Sequence, residues 1–287
     1  MNANYQHVKK SCSLLLQWGA VLAMAGALLS PAGAQQAKLV KSKDGQAVGY
    51  KDTPILPWAG YHKHDPDRPL PKEVVPGAPS MQEKVGTAPS DAIVLFDGTD
   101  TSQWQPNKWK IENGELEATE GDIDTKQSFG DCQLHVEWQA PDPPRGPQMN
   151  RGNSGVYFMS LYEVQISDSY TEKIYPDGSA AAIYGETPPL VNATLPPGKW
   201  QAYDIIFTAP VFEDDKLVKP ATITMFHNGV LVHHNTVIHG PCAWRKIEPY
   251  EPHPAKQPLR LQAHGNPVRF RNIWLRPLEL PLAKPDR

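Results

Sequence analysis

Glu163 and Gln165 lie two positions apart in a five-residue segment whose other members are the apolar residues Tyr162, Val164 and Ile166. Successive side chains of a strand point to opposite faces, so the polar pair is expected to project together, away from the apolar residues. A carboxyl group beside an amide can bind hydroxyl groups, hold a metal ion or carry a proton. The same alternation also fits an ordinary solvated sheet face, and the pair alone leaves both interpretations open.

His264 ends a second alternating segment, 259–264, in which Arg260, Gln262 and His264 share one face. A turn-like sequence, Gly265-Asn266-Pro267, follows it. Imidazole titrates near neutral pH and is the usual proton carrier in enzymes. The alternative is a histidine that only makes hydrogen bonds within the turn.

A polar turn, Arg151-Gly152-Asn153-Ser154-Gly155, leads into another predicted strand. Its glycines would let a ligand approach the backbone, which makes Asn153 a candidate binding residue. A tight loop without a ligand fits equally well. Four further histidines are interpreted as surface residues because the adjacent pair must face opposite sides of a strand: His227, His233, His234 and His239.

The elements that would position these residues are short strands. Alternating apolar residues run through 132–138 and 203–207, and Asn-Gly turns at Asn113-Gly114 and Asn228-Gly229 predict two hairpins. About a dozen such strands and no convincing amphipathic helix are visible after residue 90. This pattern predicts an all-β fold, a two-sheet sandwich of jelly-roll type.

The composition supports a β protein and excludes several functions. The chain has 287 residues with 30 Pro and 21 Gly, which disfavours a helical bundle. The formal net charge of −3 argues against a nucleic-acid-binding protein, which would normally carry a basic excess. The sequence contains no nucleophile elbow, phosphate-binding loop, HExxH motif or dinucleotide fingerprint.

The N-terminal third contains two segments of different character. Residues 1–34 have the features of a cleaved signal peptide: Lys9-Lys10, then an apolar stretch, then Ala32-Gly33-Ala34. We therefore expect a periplasmic or secreted protein with no membrane span after cleavage. Residues 35–90 are rich in Pro and Gly and predict an extended N-terminal arm. In an oxidising compartment Cys132 and Cys242 could form a disulfide, or Cys132 could be a small buried residue; the sequence leaves this open.

Six short sequence motifs follow one another along the chain. They are Leu95-Phe96-Asp97-Gly98 with Trp104 shortly after, Arg151-Gly152-Asn153-Ser154-Gly155-Val156-Tyr157, Tyr162-Glu163-Val164-Gln165-Ile166 with Asp168, Gly198-Lys199-Trp200, Leu261-Gln262-Ala263-His264-Gly265, and Phe270-Arg271-Asn272-Ile273. Together they resemble the 3-keto-disaccharide hydrolase domain family, and the resemblance places such a domain at residues 91–280.

The resemblance implies a concanavalin-like jelly roll that cleaves glycosides already oxidised at C3 of the sugar. A ketone at C3 acidifies the hydrogen on C2, because the carbanion formed is delocalised as an enolate. A base removes this proton, the C1 substituent leaves by β-elimination, and water adds afterwards. The implied partner is therefore an oxidised carbohydrate.

The resemblance also implies roles for particular residues. His264 is the expected base, and Glu163 is its partner, an alternative base or a metal ligand. The expected substrate-binding residues are Asn153, Gln165, Arg271, Tyr184 and Trp104. No cofactor is indicated with certainty; a divalent cation held by Glu163 and His264 is a hypothesis. Ala263 stands where the family pattern leads us to expect an acidic residue that would orient the histidine.

Two other functions fit the same sandwich. One is a non-catalytic carbohydrate-binding module whose aromatic residues stack on sugar rings; the candidates are Trp104, Tyr184, Trp200 and Trp244. The other is a conventional glycoside hydrolase that uses Glu163 and a second carboxylate. The chain lacks the Glu-x-Asp-x-x-Glu spacing expected of jelly-roll glucanases.

Overall fold

A computed structural model of the chain describes residues 38–57, 59–62, 64–69, 79–147, 150–170 and 175–280. The chain divides into two compact units, Met1–Lys72 and Glu73–Arg287. The predicted signal peptide lies outside the described residues. The described part of the first unit contains a two-stranded antiparallel hairpin, β1 (Val40–Lys41) and β2 (Val48–Gly49). In the described parts of the chain there is no helix of the length and hydropathy that crossing a membrane requires.

The second unit is built from antiparallel strands. They are β3 (Ile93–Phe96), β4 (Lys110–Glu112), β5 (Glu115–Glu117), β6 (Ile123–Phe129), β7 (Cys132–Gln139), β8 (Ser154–Phe158), β9 (Tyr162–Ile166), β10 (Trp200–Thr208), β11 (Val211–Glu213), β12 (Lys216–Lys219), β13 (Thr222–His227), β14 (Val230–Val237), β15 (Gln257–Leu261) and β16 (Arg269–Pro277). A 3-10 turn, Pro176–Gly178, lies between β9 and β10.

Two sheets enclose the core. The larger has eight strands in the order β14-β13-β10-β7-β16-β5-β4, with β3 also paired to β16, and the smaller has the order β6-β15-β8-β9. Rings from the two sheets meet between them: Phe158 of β8 stacks on Phe207 of β10 with centroids 4.5 Å apart. The hydroxyl of Tyr203 on β10 donates to the carbonyl of Gln165 on β9 over 2.8 Å. The predicted all-β sandwich is therefore confirmed.

Alternation of apolar residues explains which faces are buried. Leu134, Val136 and Trp138 of β7 are fully buried in the core, whereas His135 and Glu137 project from the opposite face of the larger sheet. On β9 the apolar residues point to the core and Glu163 lies on the outer face of the smaller sheet. Each sheet thus carries polar chemistry on its outer face.

Three features differ from the prediction. Strand β6 was missed because only its ends, Ile123 and Phe129, are apolar; buried Thr125 between them accepts from the N–H of Leu259 on β15. Strand β15 ends at Leu261, so His264 lies in the following loop. The prediction of surface histidines was wrong for His227 and His233, which are buried.

Residues 79–90, the end of the predicted arm, belong to the second unit, where 79–82 contact the outer face of the larger sheet. Arg271 of β16 forms an ion pair with buried Glu137 over 2.6 Å. The same guanidinium donates to the backbone carbonyls of Met81 (2.6 Å) and Gln82 (3.0 Å). It also lies 4.2 Å from the ring centroid of Trp200. This cluster attaches the segment to the sheet.

Candidate active site

The outer face of the smaller sheet carries a row of polar side chains. Strand register places Tyr157 of β8 opposite Glu163 of β9, and Gly155 opposite Gln165. On the other side of β8, Arg260 of β15 lies opposite Tyr157. Because paired residues of neighbouring strands share a face, this register brings the predicted pair Glu163 and Gln165 beside Tyr157.

Glu163 is 4% exposed, an unusual environment for a carboxyl group. The thiol of Cys242 donates to its Oε2 over 2.7 Å, and Tyr157 is a second hydrogen-bond partner. Burial raises the pKa of Glu163 to about 7, and the hydrogen bonds from Cys242 and Tyr157 offset only part of this effect. Near neutral pH, the carboxyl group can therefore exist in both protonation states.

A glycine makes room for this carboxyl group. A Cβ on Gly155 would lie 2.4 Å from Oε1 of Glu163 and 2.8 Å from Cε2 of Tyr157. Both distances are far below van der Waals contact. Any side chain at position 155 would displace Glu163 or Tyr157, so the absence of a Cβ permits the observed arrangement.

Two amides lie beside the carboxyl group. Nε2 of Gln165 donates to Oδ1 of Asn153 and to the carbonyl of Ile166, both over 2.9 Å. Asn153 and Gln165 are buried, which limits their rotation. A third amide side chain, that of Gln262, lies beside Tyr157. Its Nε2 donates to the Tyr157 hydroxyl over 2.9 Å and thereby fixes that ring.

These groups line one cavity of about 450 Å³. Exposed His264 lies in its wall, in the loop after β15. The remaining wall comes from two loops, and its residues are Tyr175, Tyr184, Cys242, Ala243 and Trp244. The cavity thus combines an imidazole, a carboxyl group of raised pKa and three amides, a set able to move a proton and bind hydroxyl groups.

The chain matches one known protein family over most of its second unit. The sequence model of one family, described as a 3-keto-alpha-glucoside-1,2-lyase-like domain, matches residues 91–276. The chain belongs to this lyase-like family. The resemblance found from the sequence motifs is therefore confirmed. None of the curated proteins matches the chain.

Three solved structures are similar to this chain. A Parabacteroides distasonis ATCC 8503 protein, provisionally named as a glycosyl hydrolase, is 40% identical, with a TM-score of 0.70 over 74% of this chain and 93% of that chain. Two further proteins with the same provisional name and organism are 19% and 22% identical, each with a TM-score of 0.48. They cover 66% and 65% of this chain and 94% and 99% of their own.

Of the residues that the lyase-like resemblance implied, five lie around the cavity. They are Asn153, Glu163, Gln165, Tyr184 and His264. Trp104 does not reach it: its indole is 1% exposed in the core and donates to the carbonyl of Leu95 over 2.8 Å. Arg271 is on the outer face of the other sheet, paired with Glu137. We therefore leave Trp104 and Arg271 out of the site.

Sequence reasoning missed Tyr157 and Cys242 as parts of the site. Tyr157 could have been found from its alternation with buried Val156 and Phe158, which places it on the outer face. Cys242 comes from a distant loop, and no local pattern marks it. Both Cys132 and Cys242 are free, and Cys132 is buried in the core.

Asp122 occupies the neighbourhood in which the lyase-like family pattern led us to expect an acidic residue. The N–H of Ala263 donates to Oδ1 of Asp122 over 3.0 Å. The negative charge of Asp122 adds to the effect of burial on the pKa of Glu163. A carboxylate from the residue before β6 thus lies beside Ala263, although the side chain at position 263 has none.

A divalent cation does not fit the residues present. Among the described residues, no three His, Cys, Asp or Glu side chains are grouped as a metal site would require. Glu163 already accepts a hydrogen bond from Cys242 at Oε2, which a cation would have to displace. We therefore derive no chemical step through a metal ion.

Proposed function

We propose that this protein cleaves 3-keto-glycosides, by β-elimination followed by addition of water. The observation that carries the proposal is the shared cavity of His264 and Glu163, an exposed imidazole and a buried carboxyl group with a pKa of about 7. Proton transfer is most efficient when the pKa of the catalytic group lies near the working pH. Membership of the lyase-like family supports the choice of a 3-keto-glycoside as the substrate class.

In this proposal His264 is the base. It takes the proton from C2, which the neighbouring C3 ketone acidifies, and a double bond forms between C1 and C2. The C1–O bond breaks with its electron pair on the leaving oxygen. Protonated Glu163 supplies the proton to that oxygen, so the leaving group departs as a neutral alcohol.

The second half of the reaction reverses the proton transfers. Water attacks C1 of the unsaturated ketone while the Glu163 carboxylate accepts a proton from it. Protonated His264 then returns a proton to C2. Both residues recover their starting states, and the net change is hydrolysis of the glycoside.

Asn153 and Gln165 are assigned to binding the sugar. Their mutual hydrogen bond leaves Nδ2 of Asn153 as a donor and Oε1 of Gln165 as an acceptor for the ligand. Neutral amides also suit the enolate oxygen, because they donate without altering the charge of the site.

The test separates proton removal from bond cleavage. The purified protein is incubated with methyl α-glucoside or methyl 3-keto-α-glucoside in D₂O, and deuterium entry at C2 and methanol release are followed by NMR. Only the keto compound should be cleaved. Glu163→Gln should retain C2 exchange but lose most methanol release, and His264→Ala should lose both.

His234→Ala is the matched control, because His234 is an exposed histidine on β14. It should behave as the wild type. Cleavage of the unoxidised glucoside would point instead to a conventional glycosidase. Binding of the keto compound without turnover would support the carbohydrate-binding module.

We also propose that the protein is exported. Support comes from the sequence of residues 1–34 and the small-residue motif Ala32-Gly33-Ala34. The mature chain recovered from cells should begin at Gln35 and lie in the periplasm or medium. An intact N-terminus in the cytoplasmic fraction would contradict this.

A further inference from the structure

Two large apolar side chains project into solvent beside the candidate active site. Trp244 is 70% exposed and Ile247 is 96% exposed. Both belong to the loop that also supplies Cys242. Isolated exposed apolar residues are common, but clustered aromatic and aliphatic groups next to a polar cavity are typical of ligand contacts.

These side chains line a second cavity of about 680 Å³. Four residues are shared between its wall and that of the active-site cavity: Tyr175, Tyr184, Ala243 and Trp244. The two spaces are therefore neighbours along one groove. A sugar bound at Glu163 and His264 could extend its C1 substituent into the second space.

The chemistry of the second cavity differs from that of the first. Tyr175 and Tyr184 meet edge to face with centroids 6.5 Å apart, and their hydroxyls lie 3.2 Å from each other. The guanidinium of Arg245 lies 5.4 Å from the ring centroid of Trp244. Flat aromatic faces favour a flat apolar ligand through stacking.

Charge narrows the class of ligand further. Arg245 and Lys246 contribute two positive charges to the wall, and Asp177 contributes one negative charge. Cations beside an aromatic wall favour an electron-rich ring, because the negatively polarised face of the ring attracts them. A phenol-type ring has such a face.

We propose that the second cavity binds the aglycone of the substrate and that this aglycone is an aromatic, phenol-type group. The proposal rests on the function proposed above. Trp244, Tyr184 and Ile247 would contact the ring while the sugar occupies the polar cavity. Aromatic glycosides oxidised at C3 would then be preferred to simple alkyl ones.

The test compares kcat/KM for phenyl and methyl 3-keto-α-glucoside. Wild-type protein should prefer the phenyl compound, and Trp244→Ala should reduce the phenyl-to-methyl ratio about tenfold, a size typical of one lost aromatic contact. Ile247→Ser, which alters only an exposed side chain, should reduce the ratio in the same direction. Phe226→Ala removes an exposed aromatic residue on β13, away from both cavities, and should leave the ratio unchanged.

Some outcomes would overturn the proposal. An unchanged ratio in both loop variants would exclude the aglycone role. A selective loss for a 3-keto-glucosyl-glucose disaccharide, with the phenyl ratio intact, would assign the second cavity to a sugar instead.

A binding measurement distinguishes failure of this proposal from failure of the proposed function. Unoxidised phenyl α-glucoside is titrated by calorimetry into the wild type and Trp244→Ala. If no keto-glycoside is cleaved but phenyl α-glucoside binds in a Trp244-dependent manner, the reaction is wrong and the aromatic site stands. If methyl 3-keto-α-glucoside is cleaved but phenyl α-glucoside binds equally to both proteins, the aromatic site is wrong and the reaction stands.

Discussion

The thiol of Cys242 and the carboxyl group of Glu163 form a 2.7 Å hydrogen bond in which sulfur is the donor. Burial, together with the neighbouring carboxyl group, raises the pKa of Cys242, so this thiol stays protonated at neutral pH. Its effect on Glu163 is to favour the carboxylate and hold the pKa below the value that burial alone would produce. A residue with no evident catalytic chemistry of its own thereby adjusts the proton affinity of the site.

Replacing Cys242 should therefore shift the pH dependence of turnover. Cys242→Ala removes the donor, and the pKa of Glu163 should rise above about 7. If protonated Glu163 is the acid, the alkaline limb of kcat/KM moves to higher pH. Cys242→Ser retains a donor and should keep the limb near its wild-type position. A limb that moves to lower pH in Cys242→Ala would contradict this account.

Ionisation of Glu163 should reduce the free energy of unfolding as the pH rises. The pKa of Glu163 is about 7 in the folded protein and near the ordinary value of 4.5 after unfolding. Between these values the folded state binds more protons, so stability falls as pH rises from 4.5 to about 7. The loss is on the order of 3 kcal/mol, since each pKa unit corresponds to about 1.4 kcal/mol.

Glu163→Gln tests this because glutamine cannot ionise. The unfolding free energy of the variant relative to the wild type should increase between pH 4.5 and pH 8, measured by urea denaturation at both values. An equal difference at the two pH values would show that burial does not raise the pKa of Glu163. The variant should meanwhile lose activity, so the carboxyl group would be kept at a cost in stability.

Gly155→Ala should disturb catalysis through Glu163. The new Cβ would lie 2.4 Å from Oε1, so the carboxyl group must move. We expect turnover to fall at least tenfold, with the fold intact by circular dichroism, because small displacements of a catalytic group are costly.

The loss of turnover in Gly155→Ala should depend on the length of the side chain at position 163. In a double-mutant cycle, Glu163→Asp should therefore cost less in the Gly155→Ala background than in the wild type. Additive effects would argue against direct contact.

Arg271→Met should affect stability rather than chemistry. It removes the Arg271 partner of buried Glu137 but leaves the contact of that carboxylate with His135, so the cost should be below the roughly 3–5 kcal/mol typical of an unpaired buried charge. Unfolding in urea should occur at lower concentration, and turnover per folded molecule should stay at the wild-type value. The double variant Glu137→Gln, Arg271→Met should recover part of the lost stability. A specific loss of turnover would return Arg271 to the active site.

His135 belongs to the same cluster on the larger sheet as Arg271 and Glu137, and its contacts change its pKa. Burial alone would lower the pKa of His135, but hydrogen bonds to Asp204 and Glu137 raise it to about 9. Burial alone would raise the pKa of Glu137, yet hydrogen bonds from His135, Ser80, Asn272 and Arg271 lower it to about 2. The charged groups on the larger sheet are thus mutually satisfied, which is typical of a structural cluster.

The parts of the site that the sequence could predict are those governed by strand periodicity. Alternation in β9 placed Glu163 and Gln165 on one face, and the structure has both on the wall of one cavity. Alternation within one strand does not indicate which other segments of the chain cover that face. The Cys242 thiol that reaches Glu163 is 79 positions away, in a loop with no period of its own.

Two of the candidates that the resemblance implied lie outside the site. Tryptophan suits a sugar-stacking surface and a core equally well, and Trp104 is in the core because its indole N–H has a backbone acceptor there. Arginine likewise suits anion binding and buried ion pairs, and the register of β16 with β7 pairs Arg271 with Glu137. Both assignments depend on contacts between distant segments, which no local pattern encodes.

The guanidinium of Arg271 has a consequence for where this protein can be cut. Two of its acceptors, the carbonyls of Met81 and Gln82, precede the first residue of the family match at 91. A fragment trimmed to that match would keep the buried ion pair of Arg271 with Glu137 but leave two N–H groups of the guanidinium without their carbonyl acceptors. We therefore expect a fragment that begins at residue 91 to be less stable than one that begins at residue 79.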